Sequence, residues 1–541
     1  MFTVRKNTAL LCFGIAFALL SLGTIGTEVT KIDIRFALMV QDMALHGLGM
    51  FPTLNGVEYG DYPSGWVFCS WLATFGGRQV SLWLLSLPAI LLGAYTMSMV
   101  YLTGELSGKN TGLLAVMFLL ITPEFLKLFA GFGIDVPVMA AGVTMLYLFR
   151  KKESALVSGC VFAVLLICCF LFRGPMGVVL LGAGTGGYLL ACREWKNIAL
   201  FCAMGAAAAI LCGIFWFYGV QQQGGQDLWE WFLQCQLYSR MGKSDYGAYF
   251  TGGLFSFAPV TLLAFGVFLL PRRRVLSGPV AGWLGYVFLP ILILSIPACK
   301  HLRYLALTLP GFALLASEAW NGNIPCRFTD RWLPCGMKLL RYFTAPLLLA
   351  AVCILAAVGC FLSEPLLVPW GHFACAAFLI AVCGFLKCRE IEKYRPSVVT
   401  GIFLAVALIP FLALLENSGH FVSQVERELA GQVYLYEMGP DHDDLKYVFG
   451  VPPEKRNRIH YLYAEKRTGQ GYYDRMYPSE CISERMEKIT ENDILILRDR
   501  KRELELLQAE AEKHRRQIRI KHSGTLGHRK FVAVCLTRKK E

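Results

Sequence analysis

The chain has 541 residues, 55% of them hydrophobic and 17% charged, with a mean hydropathy of +0.49 and a formal net charge of +13. That balance excludes an ordinary soluble globular protein and points to a polytopic membrane protein. The positive charge reads as membrane topology, because the basic residues cluster at the ends of apolar runs, and no nucleic-acid partner is implied.

Apolar runs long enough to cross a bilayer recur from residue 8 to about residue 415 and then stop. Their positions predict spans near 8–27, 79–104, 110–128, 134–149, 154–171, 175–192, 198–219, 251–270, 277–297, 304–318, 342–362, 368–386 and 397–415. That makes about thirteen helices by the 20-residue rule. With the N-terminus inside, the inner ends carry Arg5 and Lys6, Lys109, Arg150 to Lys152, Arg193 and Lys196, Arg272 to Arg274, Arg327 to Arg341, and Lys387 to Arg395, as the positive-inside rule requires. The first run, "VRKNTALLCFGIAFALLSLGTIG", has the basic start and apolar core of a signal peptide. Its near-full span length and lack of an A-x-A site read as an uncleaved anchor. Most of the 19 cysteines, such as Cys160, Cys168, Cys353 and Cys360, lie inside spans as small hydrophobes, and no C-x-x-C pair occurs. Neither a zinc site nor a disulfide framework is indicated.

The segment from Glu28 to Trp66 breaks the apolar pattern directly after the first span. In "IRFALMVQDMALHG", Phe36, Met39, Val40 and Met43 fall on one helical face with Arg35, Asp42 and His46 elsewhere. This predicts an amphipathic helix lying in the interface plane. "FPTLNGVEYGDYP" then turns, and the Trp-rich "SGWVFCSWLATFGG" predicts a second interfacial helix. The other non-basic polar clusters also fall in outward loops: "FAGFGIDVPV" with Asp135, "FLFRGPMG" with Arg173, the long loop around "LYSRMGKSDYGAYF", and "SIPACKHLRYLALTLP". Carboxylates, cations and aromatics converging from several loops on one face suggest an outward-opening cavity.

After residue 415 the composition changes. β-patterned runs at 432–437, 459–465, 493–499 and 529–537 alternate with polar turns, and "KRELELLQAEAEKHRRQI" predicts a helix with Leu504, Leu507, Ala511 and Ile518 on one face. The expectation is a transmembrane domain over 1–415 and a small extracytoplasmic α/β domain over 416–541, with a structural or binding role, since no P-loop, nucleophile elbow or metal set occurs in it. Its basic finish reads as a solvated face or a surface for anionic head groups.

Five places in order resemble the membrane-integral C-type glycosyltransferases, particularly the group similar to aminoarabinose transferase and, more distantly, the protein O-mannosyltransferases. They are the first loop, with Asp33, "RFALMVQDM" and "PTLNGVEYGDYP" including Tyr59; Asp135 in "GIDVP"; Arg173 to Pro175; Arg240 with Pro259; and Lys300, Tyr304 and Pro310 with Arg303 beside them. Where that family has adjacent Asp-Glu, the chain has Ile32 and Asp33; where it has Lys-Pro-Pro, Tyr62 precedes Pro63 and Ser64, or Asp61 takes the place if the turn shifts.

The resemblance implies a mostly α, polytopic fold and transfer of a sugar, with inversion, from a polyprenyl-phosphate donor to a lipid or glycan acceptor at the outer face of a bacterial inner membrane, among membrane lipids and without a cofactor. It implies catalytic roles for Asp33 and Asp135 and substrate binding by Arg35, Tyr59, Tyr62, Arg173, Arg240, Lys300, Arg303 and Tyr304. General-base help from Asp33 is worth roughly 10²–10⁴-fold when the acceptor is a hydroxyl. A phosphate acceptor is already anionic, and Asp33 then orients the donor sugar. Lys300, Arg303 and Arg240 or Arg173 supply preorganised cations for the donor phosphate. No dense ligand set for a metal is present. A flippase or transporter of lipid-linked sugars, or a protein O-glycosyltransferase, is the alternative reading. A transporter calls for mid-span charges and paired broken helices, which the spans do not show.

Overall fold

The structure is a computed structural model that describes residues 2–22, 24, 34–79, 81–108, 111–120, 122–129, 131–234, 238, 245–269, 275, 278–298, 300–321, 421–437, 453–464, 476, 480–526 and 529–538. Asp33, Arg240 and the expected spans at 342–362, 368–386 and 397–415 lie outside the described residues.

The helices run in chain order as α1 (Phe2–Leu22), α2 (Ile34–His46), α3 (Gly65–Ala73), α4 (Leu82–Glu105), α5 (Thr111–Leu120), α6 (Pro123–Lys127), α7 (Val136–Lys151), α8 (Ala155–Arg173), α9 (Pro175–Ala191), α10 (Trp195–Gln223) and α11 (Gly225–Phe232), followed by helices at Gly278–Ser295 and Leu309–Asn321. Among the described residues α4, α8, α10 and Gly278–Ser295 are long and apolar enough to cross a membrane, and the pair Tyr249–Ser256 and Val260–Phe268, bent by 114°, makes a fifth if it is one span. Among the described residues, the expected spans at 110–128, 134–149 and 304–318 return as helices shorter than a full span because the sequence interrupts them. Pro123 starts a new helix after Leu120, Pro137 sets the start of α7, and residues Leu302–Thr308 wind as a 3-10 turn before the Leu309–Asn321 helix.

The chain forms two compact units: Met1–Ile25, Pro88–Phe217 and Cys235–Leu412 in one, and Gly26–Leu87, Tyr218–Gln234 and Ala413–Glu541 in the other. In the first unit α9 packs against the Gly278–Ser295 helix at a contact where Gly187 and Gly285 face each other's carbonyls. A side-chain carbon on either would collide with the opposing backbone, so these small residues permit the close helix approach. Trp283 and Tyr286 are fully buried beside this seam, and Tyr286 Oη donates to the Leu307 carbonyl at 2.9 Å. That bond ties the helix to the 302–308 turn, which also packs on α7 and α9.

In the second unit α2 packs on α3, on a hairpin of β1 (Thr53–Leu54) and β2 (Val57–Glu58), and on the Pro453–Arg458 turn. The amphipathic helix expected here is present as α2, and part of its polar side is enclosed by the protein. Gln41 and Asp42 are as buried as Met39 and Val40. Asp42 is enclosed with a partner, accepting the Gly56 amide at 2.9 Å. Asn55 and Gly56, at φ 57° and 80°, form the hairpin turn that Asn-Gly favours.

The rest of this unit is a six-stranded sheet of β3 (Val433–Tyr436), β4 (Ile459–Tyr463), β5 (Glu480–Cys481), β6 (Ile494–Arg498), β7 (Arg516–Leu526) and β8 (Arg529–Arg538) in the order β5-β4-β3-β6-β8-β7. The first four strands in that order are parallel, with Val433 opposite both Ile459 and Ile494, while β8 pairs antiparallel with β6 and β7. The helix expected to continue to Ile518 stops at Lys513. Arg515 takes a left-handed φ of 53°, the chain reverses, and Ile518 reaches the same core as Leu507 and Ala511 from β7.

Candidate active site

Two clusters of the expected site residues form, one within each unit. In the first unit the carboxylate of Asp135 stands at the N-terminus of α7, where the helix dipole favours negative charge. Its side chain caps no amide. Instead Arg173 Nε donates to Asp135 Oδ1 at 2.5 Å, and Arg303 Nε lies 3.6 Å from Oδ2. Arg173 arrives there as the last residue of α8, with Gly174 at φ 70° turning the chain into α9 behind Pro175. The Asp135 and Arg173 side chains are 4% and 1% exposed, whereas Arg303 is 25% exposed. Arg303 is therefore the guanidinium of the pair that a ligand can reach. Both guanidiniums sit over the ring of the buried Tyr304, at 5.3 Å for Arg173 and 6.0 Å for Arg303, within cation–π range. Two guanidiniums gathered on one carboxylate make a setting suited to an anionic ligand.

Lys300 has a different setting from the one expected. Its Nζ donates to the carbonyls of Leu294, Ser295 and Pro297 at 3.1, 2.6 and 2.5 Å, closing the end of the Gly278–Ser295 helix. A cation over the last carbonyls is a helix C-terminal interaction. Its ammonium also lies 5.5 Å from the ring centre of Tyr249. Tyr249 was not among the expected residues. It is 1% exposed, donates to the His301 carbonyl at 3.2 Å and accepts the His301 amide at 3.1 Å, which fixes the backbone between Lys300 and Arg303. The aromatic run "YGAYF" ahead of Pro259 is the feature of the sequence that pointed toward it.

In the second unit Arg35 Nη1 donates to Tyr59 Oη at 3.1 Å, and Tyr59 Oη donates to Asp61 Oδ2 at 2.6 Å. The Arg35 guanidinium lies 5.9 Å from the Tyr59 ring centre. Tyr62 packs at 6.1 Å from Tyr59 and 5.7 Å from Phe36, ring centre to ring centre, and both tyrosines are buried. Burial, and then the Asp61 carboxylate and Tyr62, push the Tyr59 phenol well above its ordinary value, with Arg35 opposing. Tyr59 therefore remains a neutral hydroxyl that links Arg35 to Asp61. Trp231 of α11 packs edge-on at 5.3 Å from Tyr59. Gln223, at the end of α10, accepts the Phe51 amide at 2.7 Å, and Asn55 Nδ2 donates to the Met476 carbonyl at 2.7 Å. Asp61, Trp231 and Gln223 thus join the setting of the expected residues. The alternation of Trp with acids in "DLWEWF" marks Trp231 as one face of an amphipathic helix. Among the described residues no group of three or more His, Cys, Asp or Glu gathers as a metal site.

The helical fold, with four to five candidate spans among the described residues, carries carboxylate, guanidinium and aromatic groups at helix ends and in loops. A family described as dolichyl-phosphate-mannose-protein mannosyltransferase matches residues 65–217. The undecaprenyl phosphate-alpha-4-amino-4-deoxy-L-arabinose arabinosyl transferase of Edwardsiella ictaluri is 24% identical over 311 residues, 52% of this chain and 53% of that protein. The match thus spans about half the length of that curated relative. Two crystal structures of ArnT from Cupriavidus metallidurans share the fold: one bound to undecaprenyl phosphate, with 15% identity and a TM-score of 0.65, and one in the apo state, with 14% identity and a TM-score of 0.67. Each covers 98% of this chain, over 97% and 98% of the respective ArnT chains. The chain is thus similar in fold to ArnT and, over part of its sequence, to the protein mannosyltransferase family and to an aminoarabinose transferase.

Proposed function

We propose that the chain transfers a sugar from a polyprenyl-phosphate-linked donor to a lipid A-like lipid or another envelope acceptor on the periplasmic face, with inversion at the anomeric carbon. On this reading residues 1–415 are the transmembrane catalytic domain in the inner membrane, and 416–541 form a periplasmic domain. The observation that carries the proposal is the Arg173–Asp135–Arg303 arrangement, in which a buried carboxylate holds one enclosed and one accessible guanidinium.

The acceptor oxygen attacks the anomeric carbon while the bond from that carbon to the donor phosphate breaks, its electron pair leaving with the phosphate. Arg303 is suited to that departing anion. It is fixed before reaction by Asp135 and Tyr304, and a cation that need not reorganise stabilises developing charge best. Asp135 and Arg173 act by positioning. Lys300, bonded to three carbonyls, shapes the turn that carries Arg303, and the phosphate-holding role expected of it passes to Arg303. For a hydroxyl acceptor Asp33 takes the proton; for a phosphate acceptor it orients the donor sugar. Arg35, Tyr59 and Tyr62 shape the loop that follows Asp33, and Arg240 remains a second candidate for the donor phosphate.

The test compares the masses of envelope lipids, lipid A included, and of surface glycans from cells expressing wild type, Asp33→Ala or Arg303→Ala at matched levels. A sugar-sized increment present with wild type and lost in both variants supports the proposal. No increment with wild type, together with lipid-linked sugar building up in one leaflet, would replace it with a flippase.

A further inference from the structure

The first unit holds a cavity of about 780 Å³ at the far end of α7 from Asp135. The 16 residues of α7 place the two ends about 24 Å apart, at 1.5 Å per residue. The walls come from the end of α7, the starts of α8 and α10, the end of α9 and the start of the Gly278–Ser295 helix. None of the residues there takes part in the chemistry proposed above.

Its chemistry is divided between depth and rim. Inside, Ser158 is 2% exposed and its Oγ makes no hydrogen bond, so a buried hydroxyl awaits a partner. The stacked rings of Phe149 and Tyr188, 4.8 Å apart, form an apolar wall. At the rim stand Arg150, Lys152 and Arg193 against Glu153 and Glu194. The acids are engaged locally, Glu153 by Lys151 and Glu194 by the Asn197 amide at 2.6 Å. Arg150 is braced on Ser107 Oγ and the Leu106 carbonyl, while Lys152 and Arg193, exposed after the ends of α7 and α9, form no ion pair among the described residues. The rim therefore offers net positive charge. Next to Ser158 and Asn197 the surface becomes apolar and exposed, with Leu156 at 62%, Val157 at 49% and Trp195 at 65%. It continues along α10, in which only 17% of the apolar window is buried.

We propose that this cavity binds the phosphate headgroup of an anionic glycerophospholipid, with the phosphate between Lys152 and Arg193, a headgroup oxygen on Ser158 Oγ, and the acyl chains along α8 and α10. A free phosphate ion satisfies the cations but not the apolar path leading out of the cavity. The volume lies within the range of small-molecule sites.

The full-length protein, delipidated in detergent, is incubated with phosphatidylglycerol, phosphatidylcholine or inorganic phosphate, then read by native mass spectrometry and by the rise in apparent Tm. Wild type is expected to retain phosphatidylglycerol roughly thirtyfold better than phosphatidylcholine, from two basic residues near the headgroup. Lys152→Glu/Arg193→Glu, both at exposed positions, loses that preference, and Ser158→Leu, which fills the cavity, loses retention of phosphatidylglycerol. Equal retention of the two lipids by wild type, or unchanged preference in the double variant, overturns the proposal. Protection by inorganic phosphate equal to that by phosphatidylglycerol also overturns it, because the site then takes phosphate without a lipid.

Discussion

Replacing Asp135 by Asn removes one negative charge from between two guanidiniums while keeping nearly the same shape. Arg173 Nε still finds an acceptor at the Oδ1 position, but Arg173, 2% exposed, loses the carboxylate charge 2.5 Å from its Nε. Removing one member of a buried ion pair costs about 3–5 kcal/mol, chiefly from the charge left behind. At about 2–4 °C per kcal/mol for a large domain, the apparent Tm in detergent should fall by roughly 6–20 °C. Unfolding of such a protein is read as a rate, so wild type and variant are compared at one scan rate. The double variant Asp135→Asn/Arg173→Met takes out both charges and should recover most of that loss, since a neutral pair of similar volume needs no compensation. Sugar transfer should stay low in both variants, because Arg303 has lost the carboxylate 3.6 Å from its Nε. Wild-type melting of the single variant would show that the pair contributes nothing to stability. Recovery of transfer in the double variant would show that Asp135 serves folding alone and that Arg303 does not depend on it.

Tyr59→Phe deletes the hydroxyl between Arg35 and Asp61 and should lower stability by about 1–3 kcal/mol, the cost of stranding buried polar groups, with transfer reduced in the membrane assay. Arg303→Lys keeps the charge but not the fork and should raise the donor KM, whereas Lys300→Met should act mainly on the apparent Tm; a larger KM change from Lys300→Met would return the phosphate role to that residue. Asn55→Ala loses the bond to the Met476 carbonyl and also places alanine at φ 57°, so it should melt lower than Asn55→Gly by about 1 kcal/mol, read from paired melting curves. Burial raises the Glu503 carboxyl, its Oε2 forms no hydrogen bond, and Arg500 at 3.5 Å offsets this only partly. A carboxyl raised in the folded protein gives stability that is present below its unfolded value, near pH 4.3, and lost as pH rises through the folded value. Glu503→Gln should therefore gain on wild type as pH rises from about 4 to 7 in a series of melting curves, and a gap that does not change with pH would refute this.

What could be read from the sequence depended on how locally each feature is determined. Asp135 and Arg173 were legible because each marks a helix end, "GIDVP" before α7 and "RGP" between α8 and α9, so position and chemistry follow from a few adjacent residues. Their mutual bond was not, since it joins residues 38 apart. Lys300 and Arg303 looked equivalent in "CKHLRYL", and what separates them is where the preceding helix ends, which leaves three carbonyls for Lys300 and the Asp135 carboxylate for Arg303. The enclosure of α2 has the same origin. Its charges and apolar residues alternate as an interfacial helix would, yet the partners that enclose it are the Asn-Gly turn just beyond it and the Pro453–Arg458 turn some 400 residues later in the chain. Hydrophobic periodicity reports which face is apolar, and it cannot report that a polar face will be covered by distant chain that satisfies its hydrogen bonds. The same limit explains Ile518, whose spacing fits the helix that precedes it but whose burial comes from pairing with Leu536 across β7 and β8. Residues that work through a neighbour in sequence are thus open to sequence reading, while those whose role is set by a neighbour in space, such as Tyr249 beneath the Lys300–Arg303 turn, require the fold.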